Sequence, residues 1–174
     1  MLVMFLAELV YYAISFLQEN LFPALIATAV FLILRFLLCW AEILPRRSLP
    51  HEAGLTLFVL YLAVVLSLTF LPFRFAPGEG SSALDSTLLA LAQGTYTAGS
   101  WVWIMILGNV LMLIPFGFLA PLLWEKLRGW RVLPVGLGFI LAIELLQPLT
   151  GRSFDIDDIL LNFLGVAIGA LLSM

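Results

Sequence analysis

Residues 144–162 read ELLQPLTGRSFDIDDILLN and place five charged side chains between two apolar runs. The whole chain has only eight basic and eleven acidic residues among its 174. It is 63% hydrophobic and 11% charged, with a mean hydropathy of +1.14. A soluble domain is about a quarter charged, so this chain has too little polar surface to cover a globule in water. The composition predicts a compact domain embedded in a membrane.

Apolar runs on both sides of this stretch, and before it, predict membrane-crossing helices. A helix needs about 20 mostly apolar residues to cross a bilayer. The runs are continuous and not alternating, which favours helices over a barrel. The sequence therefore predicts an all-α fold, a polytopic transmembrane helical bundle. The six predicted spans are about 2–17, 21–44, 53–71, 101–123, 132–149 and 157–173.

Charge in the connecting segments predicts the orientation of this bundle. In a six-span chain, the loops at 45–52 and 124–131 share one face with both termini and carry five Lys and Arg residues. The opposite face carries two, Arg74 and Arg152. The positive-inside rule then places both termini in the cytoplasm and residues 144–162 on the extracytoplasmic side.

Residue counts exclude several classes of function. A single cysteine, Cys39, excludes a disulfide framework or a cysteine metal cluster within the chain. The single histidine, His51, excludes a site with several histidine ligands. The net charge of −3 indicates no nucleic-acid partner.

Polar side chains from three predicted spans lie at similar depths below the outer surface. At ~1.5 Å per residue, Glu144 lies roughly 6 Å below the end of span five, Asn162 roughly 8 Å deep in span six, and Asn109 roughly 12 Å deep in span four. Ionisable groups in hydrocarbon are costly and mark functional or paired sites. The depths predict one outward-facing polar pocket, whose ligand-binding residues are Asn109, Glu144, Gln147, Arg152, Asp155, Asp158, Asn162 and Arg74.

Structural roles compete with binding for some of these residues. Asp155, as the N-cap of span six, would satisfy free amides at the helix start. Glu144 and Arg152 would form a structural ion pair. Glu8 and Arg35 are expected to pair in the inner half of the membrane. Gly165 and Gly169 predict close helix packing, within the chain or in a homodimer.

Three segments resemble the VanZ-like family of bacterial membrane proteins. They read LTLFVLYLAVVLSLTFLPF at 55–73, GNVLMLIPFGFLAPLL at 108–123 and AIELLQPLTGRSFDIDDILLNFLGVAIG at 142–169. The resemblance covers roughly 46–174 and implies a four-helix membrane domain there, with residues 1–45 as a helical hairpin outside it. It also implies a place in the bacterial inner membrane. The founding member of the family is associated with resistance to the lipoglycopeptide teicoplanin. The motif positions are Asn109, Pro115, Gly117, Glu144, Gln147, Arg152, Asp155, Asp158, Asn162 and Gly165.

A binding protein is the first of three functional hypotheses. Its pocket would hold a membrane lipid, a lipid-linked cell-wall precursor or a lipid-tailed antibiotic, with Arg152 and Arg74 pairing with phosphate or carboxylate.

The other two hypotheses are an enzyme and a transporter. In the enzyme, Glu144 is the candidate catalytic acid or base, and Asp155 and Asp158 hold a divalent cation against a polyprenyl diphosphate. A lipid transporter ranks last, because the inner half of the bundle lacks a matching polar path.

Overall fold

The computed structural model of the chain describes residues 14, 17–45, 47–70, 87–94, 100–150 and 154–174. Regular structure among these residues is helical, with no β-strand. This confirms the all-α class. The α-helices of the described residues are α1 (Phe22–Trp40), α2 (Leu49–Phe70), α3 (Thr87–Ala92), α4 (Ser100–Leu123), α5 (Val132–Leu146) and α6 (Ile156–Leu172).

Four helical segments of the described chain are long and apolar enough to cross a membrane. They are Gln18–Trp40, Leu49–Phe70, Ile106–Leu123 and Gly129–Thr150, and they correspond to the second to fifth predicted spans. The sixth predicted span forms α6, which has 17 residues. That is about 25 Å of helix, short of a ~30 Å hydrocarbon core.

The count of six spans is therefore not confirmed. The first predicted span, 2–17, lies outside the described residues except for residues 14 and 17. The helices establish a membrane protein, whereas the number of crossings and the side on which each terminus lies stay predictions.

The chain divides into two compact units, Met1–Pro72 and Phe73–Met174. In the first unit, the Arg35 guanidinium on α1 donates to both carboxylate oxygens of Glu52 on α2, at 2.9 Å and 2.6 Å. Two parallel bonds of this kind fix geometry as well as charge. The expected partner of Arg35 was Glu8, which lies outside the described residues. The Glu8–Arg35 pairing therefore stays a prediction. Glu52 is a partner that the sequence analysis missed, since α2 begins at Leu49, earlier than the predicted residue 53.

In the second unit, α4 and α6 pack backbone to backbone at three glycines. A Cβ added to Gly165 would lie 2.2 Å from the Val110 carbonyl oxygen, and one added to Gly169 would lie 2.1 Å from that of Ile114. A Cβ on Gly117 of α4 would lie 2.1 Å from the Val166 carbonyl oxygen. Small residues permit such close approach between apolar helices. The glycine pair predicted for close packing is therefore used within the chain.

Helix α5 completes the second unit against the same two neighbours. A Cβ on Gly136 would lie 2.7 Å from a Val166 methyl group on α6. The rings of Phe116 on α4 and Phe139 on α5 stack with centroids 5.2 Å apart. These contacts hold the polar ends of the three helices in a fixed arrangement. The predicted domain boundary after residue 45 stays a prediction.

Candidate functional site

Asn109 and Asp158 join α4 to α6 in the part of the site nearest the glycine contacts. The side-chain amide of Asn109 donates to Oδ1 of Asp158. Both residues are half-buried. A hydrogen bond to an ionised carboxylate is stronger than one between neutral groups. This bond brings together two of the residues that the sequence placed in one pocket.

Glu144 joins α5 to the start of α6. Its side chain is 1% exposed, and Oε2 accepts a hydrogen bond of 3.2 Å from the backbone N–H of Asp155. Burying a carboxylate is costly unless it is hydrogen-bonded. Glu144 therefore has a structural role that the sequence did not predict, alongside its expected place in the site.

Asp155 is the N-cap of α6, which confirms the capping role predicted for this residue. Its backbone is extended, and Oδ1 accepts a bond of 2.8 Å from the N–H of Asp157. An N-cap oxygen commonly bonds the second or third helical amide in this way. Asp155 thus connects α5 to α6, since its N–H donates to Glu144 and its carboxylate caps the first turn of α6.

Asp157 contributes a contact that sequence reasoning missed. Its partner differs from that of the adjacent Asp158, which bonds Asn109. Its carboxylate is 5% exposed and accepts a bond of 2.9 Å from the backbone N–H of Leu88 in α3. The bond fixes the short helix to the first turn of α6. A backbone donor has no signature in side-chain identity, so the sequence carries no signal for this contact beyond a third acidic residue near the start of α6.

We expect Asp157→Ala to release α3, because the amide of Leu88 loses an acceptor in a part-buried position. Losing one charged hydrogen bond costs about 1.5–3 kcal/mol, which corresponds to about tenfold or faster exchange of the local amides. Hydrogen-exchange mass spectrometry of peptides covering 87–94 measures this. Asp157→Asn retains an acceptor oxygen and should exchange nearly as slowly as the wild type. The exposed Glu125→Ala is a control, and equal exchange in all proteins would contradict the role of Asp157.

Of the remaining predicted site residues, two are buried and two lie outside the described residues. Gln147 and Asn162 are each 5% exposed. Gln147 begins the 3₁₀ turn Gln147–Thr150 after α5, where its carbonyl oxygen accepts a 2.8 Å bond from the Thr150 hydroxyl. Arg152 and Arg74 lie outside the described residues, and with them the expected Glu144–Arg152 ion pair. We call Asn109, Glu144, Asp155, Asp158 and Asn162 the polar cluster.

The carboxylates proposed to hold a metal ion are already partly used in hydrogen bonds. One oxygen of Asp155 caps α6, and one oxygen of Asp158 accepts from Asn109. Among the described residues, no group of three or more His, Cys, Asp or Glu side chains is placed to hold a metal ion. The divalent cation of the enzyme hypothesis therefore stays a prediction.

Comparison with known proteins gives one result for the chain. The family model described as VanZ/LLP1 matches residues 58–174. This range contains every member of the polar cluster and begins twelve residues later than the resemblance in the sequence suggested. No curated protein and no solved structure matches the chain.

Proposed function

Since the chain belongs to the VanZ/LLP1 family, we propose that it binds an amphiphile of the bacterial cell envelope at the polar cluster. The ligand class comprises lipid-linked cell-wall precursors and lipoglycopeptides such as teicoplanin. A link to glycopeptide resistance would follow from binding of the antibiotic. The protein acts by holding the polar head of the ligand at the cluster while the apolar tail stays among the helices.

The observation that carries this proposal is the meeting of polar side chains from three apolar helices at one end of the second unit. Asn109 of α4 bonds Asp158 of α6, and Glu144 of α5 bonds the start of α6. Intramembrane polar groups are expensive and mark binding or transport sites. Capping of α6 explains why Asp155 is polar. It does not explain why Asn109, Glu144 and Asn162 lie at the same end of the unit.

Charge and orientation supply the rest of the proposal. The positive-inside rule places the cluster in the outer half of the inner membrane, with both termini in the cytoplasm. The described members of the cluster are acidic or neutral. Arg152, three residues before Asp155 in the chain, therefore provides the cation for the phosphate or carboxylate of the ligand, with Arg74 as a second.

Substitution of Arg152 tests the proposal. We expect purified Arg152→Ala to lose at least about tenfold in affinity for a polyprenyl-diphosphate-linked precursor, because a charged hydrogen bond to the head group contributes about 1.5–3 kcal/mol. Titration in nanodiscs measures binding, with teicoplanin as the second ligand. A glycopeptide without a lipid tail should bind more weakly than teicoplanin.

Arg131→Ala is the matched control, since Arg131 is exposed at the opposite end of α5. It should bind as the wild type does. Equal unfolding temperatures of all three proteins would show that Arg152→Ala has folded. Unchanged affinity of that folded variant, or wild-type protein that binds neither ligand, would refute the proposal.

A further inference from the structure

Asn162 has a buried acceptor whose hydrogen bond is not made within the described chain. The residue is 5% exposed, and among the described residues its Oδ1 has no hydrogen-bond partner. A buried acceptor without a donor bears the full penalty of leaving water. Such a group calls for an explanation, because buried polar atoms are nearly always paired.

The position of Asn162 places this oxygen in the contact between α4 and α6. One turn before it, Asp158 bonds Asn109 of α4. One turn after it, Gly165 lies against the Val110 carbonyl of α4. Residues spaced by three and four share a helix face, so Asn162 lies on the α4-facing side of α6, directly below the Asn109–Asp158 bond.

Chemistry limits what can satisfy this oxygen. An amide oxygen is an acceptor only, so its partner is an O–H or N–H group and not a phosphate or carboxylate oxygen. Beyond Asn162, the same face of α6 continues with Gly165, Val166 and Gly169, which offer no polar side chain. A ligand group that reaches Asn162 therefore lies at the border between the head and the tail.

We propose that Asn162 selects amphiphiles that carry a hydrogen-bond donor directly beside the apolar tail, such as a hydroxyl or an amide-linked acyl chain. This inference rests on the proposed function and narrows its ligand class. A polyprenyl diphosphate carries a phosphate ester and no donor beside its tail, so amphiphiles with a donor there should bind more tightly than the diphosphate precursor does. An amphiphile with an ester or ether at that position lacks the donor and leaves the buried oxygen unpaired.

Two matched probes test this selection without the natural ligand. Hexadecanol and hexadecyl methyl ether have the same tail, but only the alcohol donates a hydrogen bond. We expect the alcohol to bind the wild-type protein about tenfold more tightly than the ether, the factor that one hydrogen bond supports. Thermal unfolding in detergent, titrated with each probe, measures the difference. Asn162→Leu should abolish it.

Asn109 provides the control for folding, since its side-chain amide already donates to Asp158. Asn109→Leu should lower the unfolding temperature without probe, because the hydrogen bond from Asn109 to Asp158 is lost. Asn162→Leu should leave that temperature unchanged or raise it, because it removes an unpaired acceptor. The inference is overturned if Asn162→Leu destabilises as much as Asn109→Leu, if alcohol and ether bind the wild type equally, or if the difference survives in Asn162→Leu.

Failure here and failure of the proposed function are distinguishable. Equal binding of the two probes by the wild type refutes the selective role of Asn162, and it does not bear on whether the precursor or teicoplanin binds at the polar cluster. Wild-type protein that binds neither the diphosphate precursor nor teicoplanin refutes the proposed function, whatever the two probes do.

Discussion

Gly169→Ala is expected to disrupt the packing of α6 on α4 and to lower the free energy of unfolding by on the order of 3 kcal/mol. The new Cβ would lie 2.1 Å from the Ile114 carbonyl oxygen and 2.8 Å from the Phe118 backbone nitrogen. These are backbone atoms, which cannot rotate away as a side chain can. The two helices would have to separate, and the polar cluster at one end of them would lose its geometry. Thermal or denaturant unfolding in detergent measures the loss.

Two other helical glycines of the second unit give matched controls. A Cβ on Gly108 of α4 or on Gly138 of α5 meets nothing within 4 Å. Alanine is favoured over glycine inside a helix by up to about 1 kcal/mol, so Gly108→Ala and Gly138→Ala should be neutral or stabilising. Gly165→Ala and Gly117→Ala should behave as Gly169→Ala does. If all five variants unfold together, close backbone contact is not what holds α4 and α6.

Apolar content predicted much of this fold because a membrane leaves few alternatives. Backbone groups in hydrocarbon must be paired within the segment, so long continuous apolar runs had to form helices. The packing of α4 against α6 was harder to predict from the sequence. Gly165 and Gly169 showed that some helix approaches closely, but glycine spacing carries no information about the partner. Gly117, which completes the contact from α4, was noted for its motif position and not for packing.

Depth counting predicted which polar residues meet but not how they bond. Asn109, Glu144 and Asp155 were expected at one end of the bundle, and two direct bonds now connect their helices. The acceptors and donors were beyond prediction where one partner is a backbone N–H, as at Asp155 and Leu88. Helix ends are also difficult to predict. The start of α2 was predicted four residues too late, so Glu52 was not recognised as a partner of Arg35.

Glu144→Leu is expected to weaken ligand binding by about tenfold or more and to lower stability by about 2 kcal/mol. Leucine fills a similar volume but leaves the Asp155 N–H without its acceptor, so the start of α6 loses its tie to α5. Every cluster residue on α6 follows that start in the chain and would shift with it. Nanodisc titration with the diphosphate precursor and unfolding in detergent measure the two effects.

Glu144→Gln separates the acceptor from the charge at this position. Glutamine keeps a side-chain oxygen for the Asp155 N–H, so the variant should unfold within about 1 kcal/mol of the wild type. Because the proposed ligand is held by Arg152 and by donors and acceptors of the cluster, binding should fall by less than about tenfold. A glutamine variant that unfolds as readily as the leucine one would mean that the negative charge, and not the bond to α6, keeps Glu144 buried. The hydrogen bond between Glu144 and the Asp155 N–H would then be a consequence of the fold and not a cause of it. The geometry of the site would instead depend on the cation that faces the Glu144 carboxylate.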